Sequence, residues 1–184
     1  MLSVNFSPFP VLVTERLLLR AFRPEDDQAL FSLRSDKSVM KWLDRPLASS
    51  VDDMTQFIGR IITDLAENNG ITWALTVKEN PKLMGTIGYW KLDKGNHRAE
   101  IGYMIHPELQ GKGLMQEAMT AVIDYGFNEM KLHSIEANVN PGNEASIKLL
   151  ERNKFVQEAY FKENYYYDGR FLDSVIYSRL ADKS

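Results

Sequence analysis

The residues of this chain best suited to chemistry lie between positions 100 and 146. His106-Pro107-Glu108-Leu109-Gln110-Gly111-Lys112-Gly113-Leu114-Met115 stands between a short apolar strand and an amphipathic helix. The two glycines beside Gln110 and Lys112 let a backbone come close to a ligand and aim several N–H groups at it. The helix that follows adds the positive end of its dipole, so the corner suits a phosphate. Upstream, Glu100 points a carboxylate out of a strand that otherwise reads as half buried. Downstream, Asn143 and Ser146 open a short helix after Pro141-Gly142.

Elements with readable signals must hold these groups. Residues 11–20 read as an opening strand, and Pro24 followed by Glu25, Asp26 and Asp27 starts a helix. Ser50 with Asp52 and Asp53 starts another, carried by Met54, Phe57, Ile58, Ile61, Ile62 and Leu65 and stopped at Asn68-Asn69-Gly70. A loop over residues 41–46 carries Trp42. Strands follow over 71–77, 83–91 and 98–105, with turns expected at 80–82 and 93–96. A helix from Leu114, a strand over 133–139 and a helix over 143–150 precede two long strands, 155–167 and 170–180, joined by Asp168-Gly169. This order gives an α/β (α+β) fold with a mixed, mostly antiparallel sheet of about seven strands and about four helices. No repeat or linker divides residues 1–184, so one domain is expected.

The 184 residues include no cysteine, which excludes a disulfide framework, a thiolate metal site and a cysteine nucleophile. The three histidines lack metal-ligand spacing, so no metal is expected. A formal net charge of -3 with scattered basic residues argues against a nucleic-acid binder. No apolar run reaches the roughly 18 residues of a membrane span, and no basic leader opens the chain. A cytoplasmic protein without a membrane partner is the expectation. The long terminal hairpin offers strand and aromatic contacts for a homodimer.

The glycine corner is not a P-loop, since His106 and Gly113 stand where that motif needs glycine and a hydroxyl. Nor is it a dinucleotide fingerprint, because Gln116 occupies the third glycine position and the corner lies mid-chain. Gln110-Gly111-Lys112-Gly113-Leu114-Met115, followed by Asn140-Pro141-Gly142-Asn143-Glu144-Ala145-Ser146 and by Leu149-Leu150-Glu151-Arg152-Asn153-Lys154-Phe155, instead resembles the GCN5-related N-acetyltransferase (GNAT) family. Thr14-Glu15-Arg16-Leu17-Leu18-Leu19-Arg20, Trp73 and Gly85-Thr86-Ile87-Gly88 further resemble its branch acting on ribosomal-protein N-termini. The likeness spans about residues 12–180. Met115 departs from the Gly or Ala of the wider family, and Lys154 from a glycine at a turn where a positive φ is needed.

The resemblance implies two central strands that splay to admit the pantetheine arm of acetyl-CoA. Backbone groups of Met104 and Ile105 would bind that arm, and the N–H groups of Gly111, Lys112, Gly113, Leu114 and Met115 the diphosphate. Gln110, Asn138, Asn143 and Ser146 complete the implied coenzyme contacts. Acyl transfer to an amine needs a proton acceptor, because a primary amine is protonated at neutral pH. Glu100 takes that role, directly or through water, unless it merely pairs with Arg98 or Lys91. His97 and His106 are alternative bases. Ser146 resembles the acid that serves the departing thiolate, against a plain first-turn serine bonded to backbone. Asn143 can cap its helix and contact coenzyme at once. The acceptor is expected to be a protein N-terminus, with a small amine such as a polyamine or antibiotic, or a non-catalytic acyl-CoA-binding role, as rivals.

Overall fold

The computed structural model describes residues 1–182. One mixed sheet of eight strands organises them, in the order β1-β2-β3-β4-β5-β6-β8-β7. The first edge is β1 (Leu12–Val13) and β2 (Leu17–Arg20). β3 (Ile71–Val77), β4 (Asn80–Asp93) and β5 (Arg98–Ile105) form the middle, and β6 (Ser134–Val139), β7 (Val156–Tyr167) and β8 (Arg170–Leu180) the far side. Three helices, α1 (Asp27–Arg34), α2 (Lys37–Met40) and α3 (Val51–Ala66), fall between β2 and β3. α4 (Leu114–Asn128) joins β5 to β6, and α5 (Glu144–Arg152) joins β6 to β7. No helix among the described residues is long and apolar enough to cross a membrane.

Alternation along the strands builds a core on each face. Trp73, Leu75, Ile87 and Tyr89 pack with Met119, Val122 and Ile123 of α4 and Leu150 of α5. Between them, Ala74 points to the opposite face, where Leu30 and Leu33 of α1 meet Met54 and Ile58 of α3. Trp73 is wholly buried, donates its indole N–H to the Pro10 carbonyl at 2.7 Å, and meets Phe9, Tyr89 and Tyr125 edge-on. The α3 start is a capping box. The Asp53 N–H donates to the Ser50 hydroxyl at 3.2 Å and the Ser50 N–H to the Asp53 carboxylate at 3.0 Å, a cap worth roughly 1 kcal/mol.

Three local expectations are corrected. The opening strand is broken at Thr14-Glu15-Arg16, where the chain turns so that Leu12 pairs with Leu19. This raises the strand number from about seven to eight. Helix α2, a single turn that the pattern did not signal, exists because the Asp36 carboxylate accepts the N–H groups of Ser38 and Val39, bringing the helices to five. Asn80-Pro81-Lys82 is strand rather than turn, since the reversal occurs at Lys78-Glu79 and Val77 pairs with Asn80.

Every neighbouring pair of strands is antiparallel except β5 and β6. These run parallel only across Arg98↔Ser134, Ala99↔Ile135 and Glu100↔Glu136. Beyond Glu100 they part, β5 staying with β4 to Ile105 and β6 with β8 to Val139. A bulge in β4 lies beside the parting point. Tyr89 pairs with Ile101 and Lys91 with Glu100, so Trp90 is the extra residue. A bulge bends its strand and re-aims a side chain.

α5 ends in a left-handed residue, as the likeness to a glycine position suggests. Lys154 has φ 63°, with the Phe155 N–H closing back on the Leu150 carbonyl at 3.0 Å. Lys154 is exposed, so its side chain brings no packing to offset the strain. Lys154→Gly is therefore expected to stabilise the fold by roughly 0.5–1 kcal/mol. Urea unfolding would register this as a higher midpoint at unchanged slope; a lower midpoint would refute it.

Candidate active site

The gap left by the parted strands opens into a cleft of about 630 Å³, within the range of small-molecule sites. Tyr103, Met104 and Ile105 of β5 line one wall, and Asn143, Ser146 and Leu149 of α5 line another. Gln110, Gly111, Gly113, Leu114 and Met115 close one end, and Val39, Trp42 and Leu43 approach from the α2 side. Nine residues expected at the site thus meet here. Glu100, Lys112 and Asn138 do not line the cleft.

At the closed end, Gly111 and Gly113 both take left-handed backbone, with φ 73° and 76°. This is why glycine is needed there: open space surrounds a Cβ at Gly111, so conformation and not crowding decides. The α4 ladder begins with the Glu117 N–H donating to the Gly113 carbonyl at 3.1 Å. The N–H groups of Leu114, Met115 and Gln116 precede it. Those of Gly111, Lys112 and Gly113 have no acceptor among the described residues. Successive free N–H groups at the start of a fifteen-residue helix make an anion nest. Met115 packs its side chain into the core.

Two braces hold this corner. Glu117 accepts the Thr14 hydroxyl, the Arg16 N–H at 2.8 Å and the Arg16 guanidinium at 2.7 Å. Arg16 also donates to the Lys112 carbonyl at 3.0 Å, tying the glycine corner to the start of β2. Burial alone would raise the Glu117 carboxyl, but Thr14 and Arg16 together hold it below the usual carboxylate range. On the other side Gln116 and Asn153 exchange amide hydrogen bonds at 2.8 and 3.1 Å. None of these contacts was legible as a site signal, because Thr14 and Glu117 stand 103 positions apart.

Across the cleft, the Ser146 hydroxyl bonds not to backbone but to the Tyr103 phenol at 2.6 Å. Asn143 caps α5 by accepting the Ser146 N–H at 3.2 Å, which fixes where that hydroxyl points. Burial pushes the Tyr103 phenol up to about 12, against the opposing pull of Ser146. Tyr103 therefore remains a proton-bearing group at neutral pH, and it is a candidate functional residue that sequence reasoning missed. The only available signal was a phenol on the strand leading to the glycine corner.

Glu100 is buried at the parting point, and its Oε2 takes the Lys91 ammonium at 2.9 Å. Its other oxygen has no protein donor among the described residues. Glu100 shares a strand face with Gly102 and Met104, the face turned toward α1 and α3. His97 spends its carbonyl on the N–H groups of His133 and Ser134, and His106 starts a single turn at the loop entry. No group of three potential metal ligands occurs among the described residues.

The loop bearing Trp42 is tied down twice. Gly142 lies flat on the Trp42 ring, where a Cβ would come within 2.8 Å of it. The Tyr165 phenol donates to Asp44, and burial together with that carboxylate raises its pKa far above the ordinary value. A nest for a diphosphate, a channel for an extended arm and a hydroxyl pair beside its end suit transfer from a nucleotide-bearing thioester.

The profile of the acetyltransferase (GNAT) domain matches residues 16–156. The uncharacterized N-acetyltransferase p20 of Bacillus licheniformis is 37% identical over 170 residues, covering 92% of this chain and 95% of that protein. YdaF of Bacillus subtilis, provisionally named a ribosomal N-acetyltransferase, is 32% identical over 178 residues, covering 94% and 95%. Among solved structures, the ribosomal L7/L12 alpha-N-protein acetyltransferase RimL in complex with coenzyme A shares the fold. Its TM-score is 0.83 at 21% identity, over 94% of this chain and 99% of that one. With the domain match over most of its length and relatives of this identity over nearly all of it, the chain belongs to the GNAT acetyltransferase family and is an N-acetyltransferase of that type.

Proposed function

We propose that the protein moves an acetyl group from acetyl-CoA to the N-terminal α-amine of a polypeptide by direct transfer in a ternary complex. The observation that carries this reading is the row of unpaired N–H groups from Gly111 to Gln116 at the end of a cleft whose wall bears Ser146 and Tyr103. The nest fits the diphosphate, and the backbone of Met104 and Ile105, free on the side away from β4, fits the amide-bearing arm. The bound thioester supplies the acyl group.

Glu100 accepts the proton that the acceptor ammonium must lose, through water, because its free oxygen does not line the cleft. The amine nitrogen then bonds to the thioester carbon and the carbon–sulfur bond breaks. Ser146 donates a proton to the departing sulfur and takes one from Tyr103, and the second proton, which the nitrogen sheds as the amide forms, passes through water to restore the Tyr103 phenol. A thiolate of pKa near 8.5 leaves more readily when a hydroxyl pair meets it. The likeness to YdaF supports a polypeptide acceptor over a small amine.

Mass analysis of products after incubation with acetyl-CoA, N-terminal peptides and small amines tests this reading, and acetylated peptide is the expected product. Glu100→Gln is expected to lower kcat roughly 100-fold and flatten its rise with pH while leaving coenzyme affinity nearly unchanged; parallel loss of both would remove Glu100 from the chemistry. Ser146→Ala and Tyr103→Phe should each slow transfer about tenfold, and no more when combined, since they act as a unit. Arg16→Ala should weaken coenzyme A binding about tenfold, the equivalent of 1.4 kcal/mol. Arg16→Lys should restore it only in part, because an ammonium cannot reach both Glu117 and the Lys112 carbonyl. Unchanged calorimetric affinity in both variants would contradict the brace.

A further inference from the structure

Outside the cleft, α1, α3 and the loop between α2 and α3 enclose a second cavity of about 240 Å³, with Arg34 and Arg60 in its lining. Both guanidiniums lie over the Phe57 ring, at 4.5 and 5.5 Å from its centroid. Arg45 lies near enough to add its charge, and its own guanidinium stands 5.4 Å from the Trp90 ring. None of the three arginines makes an ion pair or a side-chain hydrogen bond among the described residues. Burial and the charges of Arg45 and Arg60 lower the Arg34 pKa, with no opposing carboxylate. Asp53, the one acidic residue of the lining, spends its carboxylate on the N–H groups of Ser49 and Ser50 and the Ser49 hydroxyl.

Two guanidiniums on one aromatic ring with a third beside them, none of them paired with a carboxylate, repel each other, and an anion from outside relieves that repulsion. Within a chain of net charge -3 this is a local reversal of sign. A strip of contacts joins it to the chemistry: Glu100 pairs with Lys91, Lys91 lies 4.3 Å from the Trp90 centroid, and Arg45 also stands over Trp90. The loop also connects the sites, since Trp42 lines the cleft and Ala48 lines the second cavity. Six residues of chain span at most about 20 Å.

We propose that Arg34, Arg45 and Arg60 form a subsite for acidic side chains of the acceptor polypeptide, downstream of the amine that reacts. This rests on the polypeptide-acceptor reading above and gives it a substrate class. An extended acceptor advances about 3.3 Å per residue, so that span is covered within roughly its first six residues. A polyamine would meet three like charges there.

The test uses two peptides with the same first three residues, followed by Asp and Glu in one and by Asn and Gln in the other. The wild-type protein should show a KM about tenfold lower for the acidic peptide, an advantage that fades toward about 0.5 M salt. In the double variant R45Q/R60Q, both at exposed positions, the advantage should vanish while kcat and the KM for acetyl-CoA hold. Equal KM values in the wild type, or an advantage that survives the double variant, would overturn the proposal. Saturable binding of inorganic phosphate abolished by R45Q/R60Q, with no preference between peptides, would also overturn it and mark a free-anion site. Transfer to spermidine but to neither peptide would instead remove the polypeptide-acceptor reading.

Discussion

The structure turns on the short parallel pairing of β5 and β6. Three residue pairs hold the two halves of the sheet together, and past Glu100 and Glu136 the strands separate. Unpaired backbone in a sheet is costly unless a partner supplies the missing hydrogen bonds. In the proposed function that partner is the coenzyme arm, and beside the gap each strand keeps its outer neighbour, β4 for β5 and β8 for β6. The bulge at Trp90 accommodates the same bend on the neighbouring strand. Burial of Ala99, Ile101 and Ile135 on the α4 face anchors the joined part.

Around that gap the charged and polar groups divide by sign and by task. The nest at the start of α4 collects positive partial charge from backbone and needs no cation, and Lys112 stays outside the cleft. Its rigidity comes from the first strands of the chain through Thr14 and Arg16, and from the end of α5 through Asn153. The hydroxyl pair is similarly held, Ser146 by the Asn143 cap and Tyr103 by its strand. A site fixed by secondary structure and caps keeps its geometry before the ligand arrives, which is where positioning gains its rate.

How much of this could be read beforehand depends on the range of the interaction. The glycine corner, the helix start at Ser50, the strand over Arg98–Ile105 and the Asp168-Gly169 turn follow from neighbours within a few positions, and each appears where the pattern predicts. The positive φ of Lys154 was foreseeable only through the family likeness, because lysine itself gives no such signal. The break at Thr14-Glu15-Arg16 was not, since this polar triplet carries no glycine, proline or asparagine and the turn is held by a carboxylate from α4. The Tyr103–Ser146 contact, the Trp90 bulge and the arginines meeting at Phe57 all arise from the tertiary arrangement. Glu100 stood out as a charge on an apolar strand with Arg98 or Lys91 as its expected partner, yet no local rule told that Lys91 would take it and Arg98 would turn to Asp93 and Glu136.

The tether between Asp44 and Tyr165 has a consequence for how such a scaffold changes its substrates. Two residues 121 positions apart tie the terminal hairpin to the loop whose Trp42 and Leu43 line the cleft. Altering the Trp42 loop alone would leave a phenol without its acceptor, and altering the hairpin alone would leave the loop held only where the indole rests on Gly142. The shape of this side of the cleft is therefore a joint property of distant segments, and reshaping it requires matched changes in both.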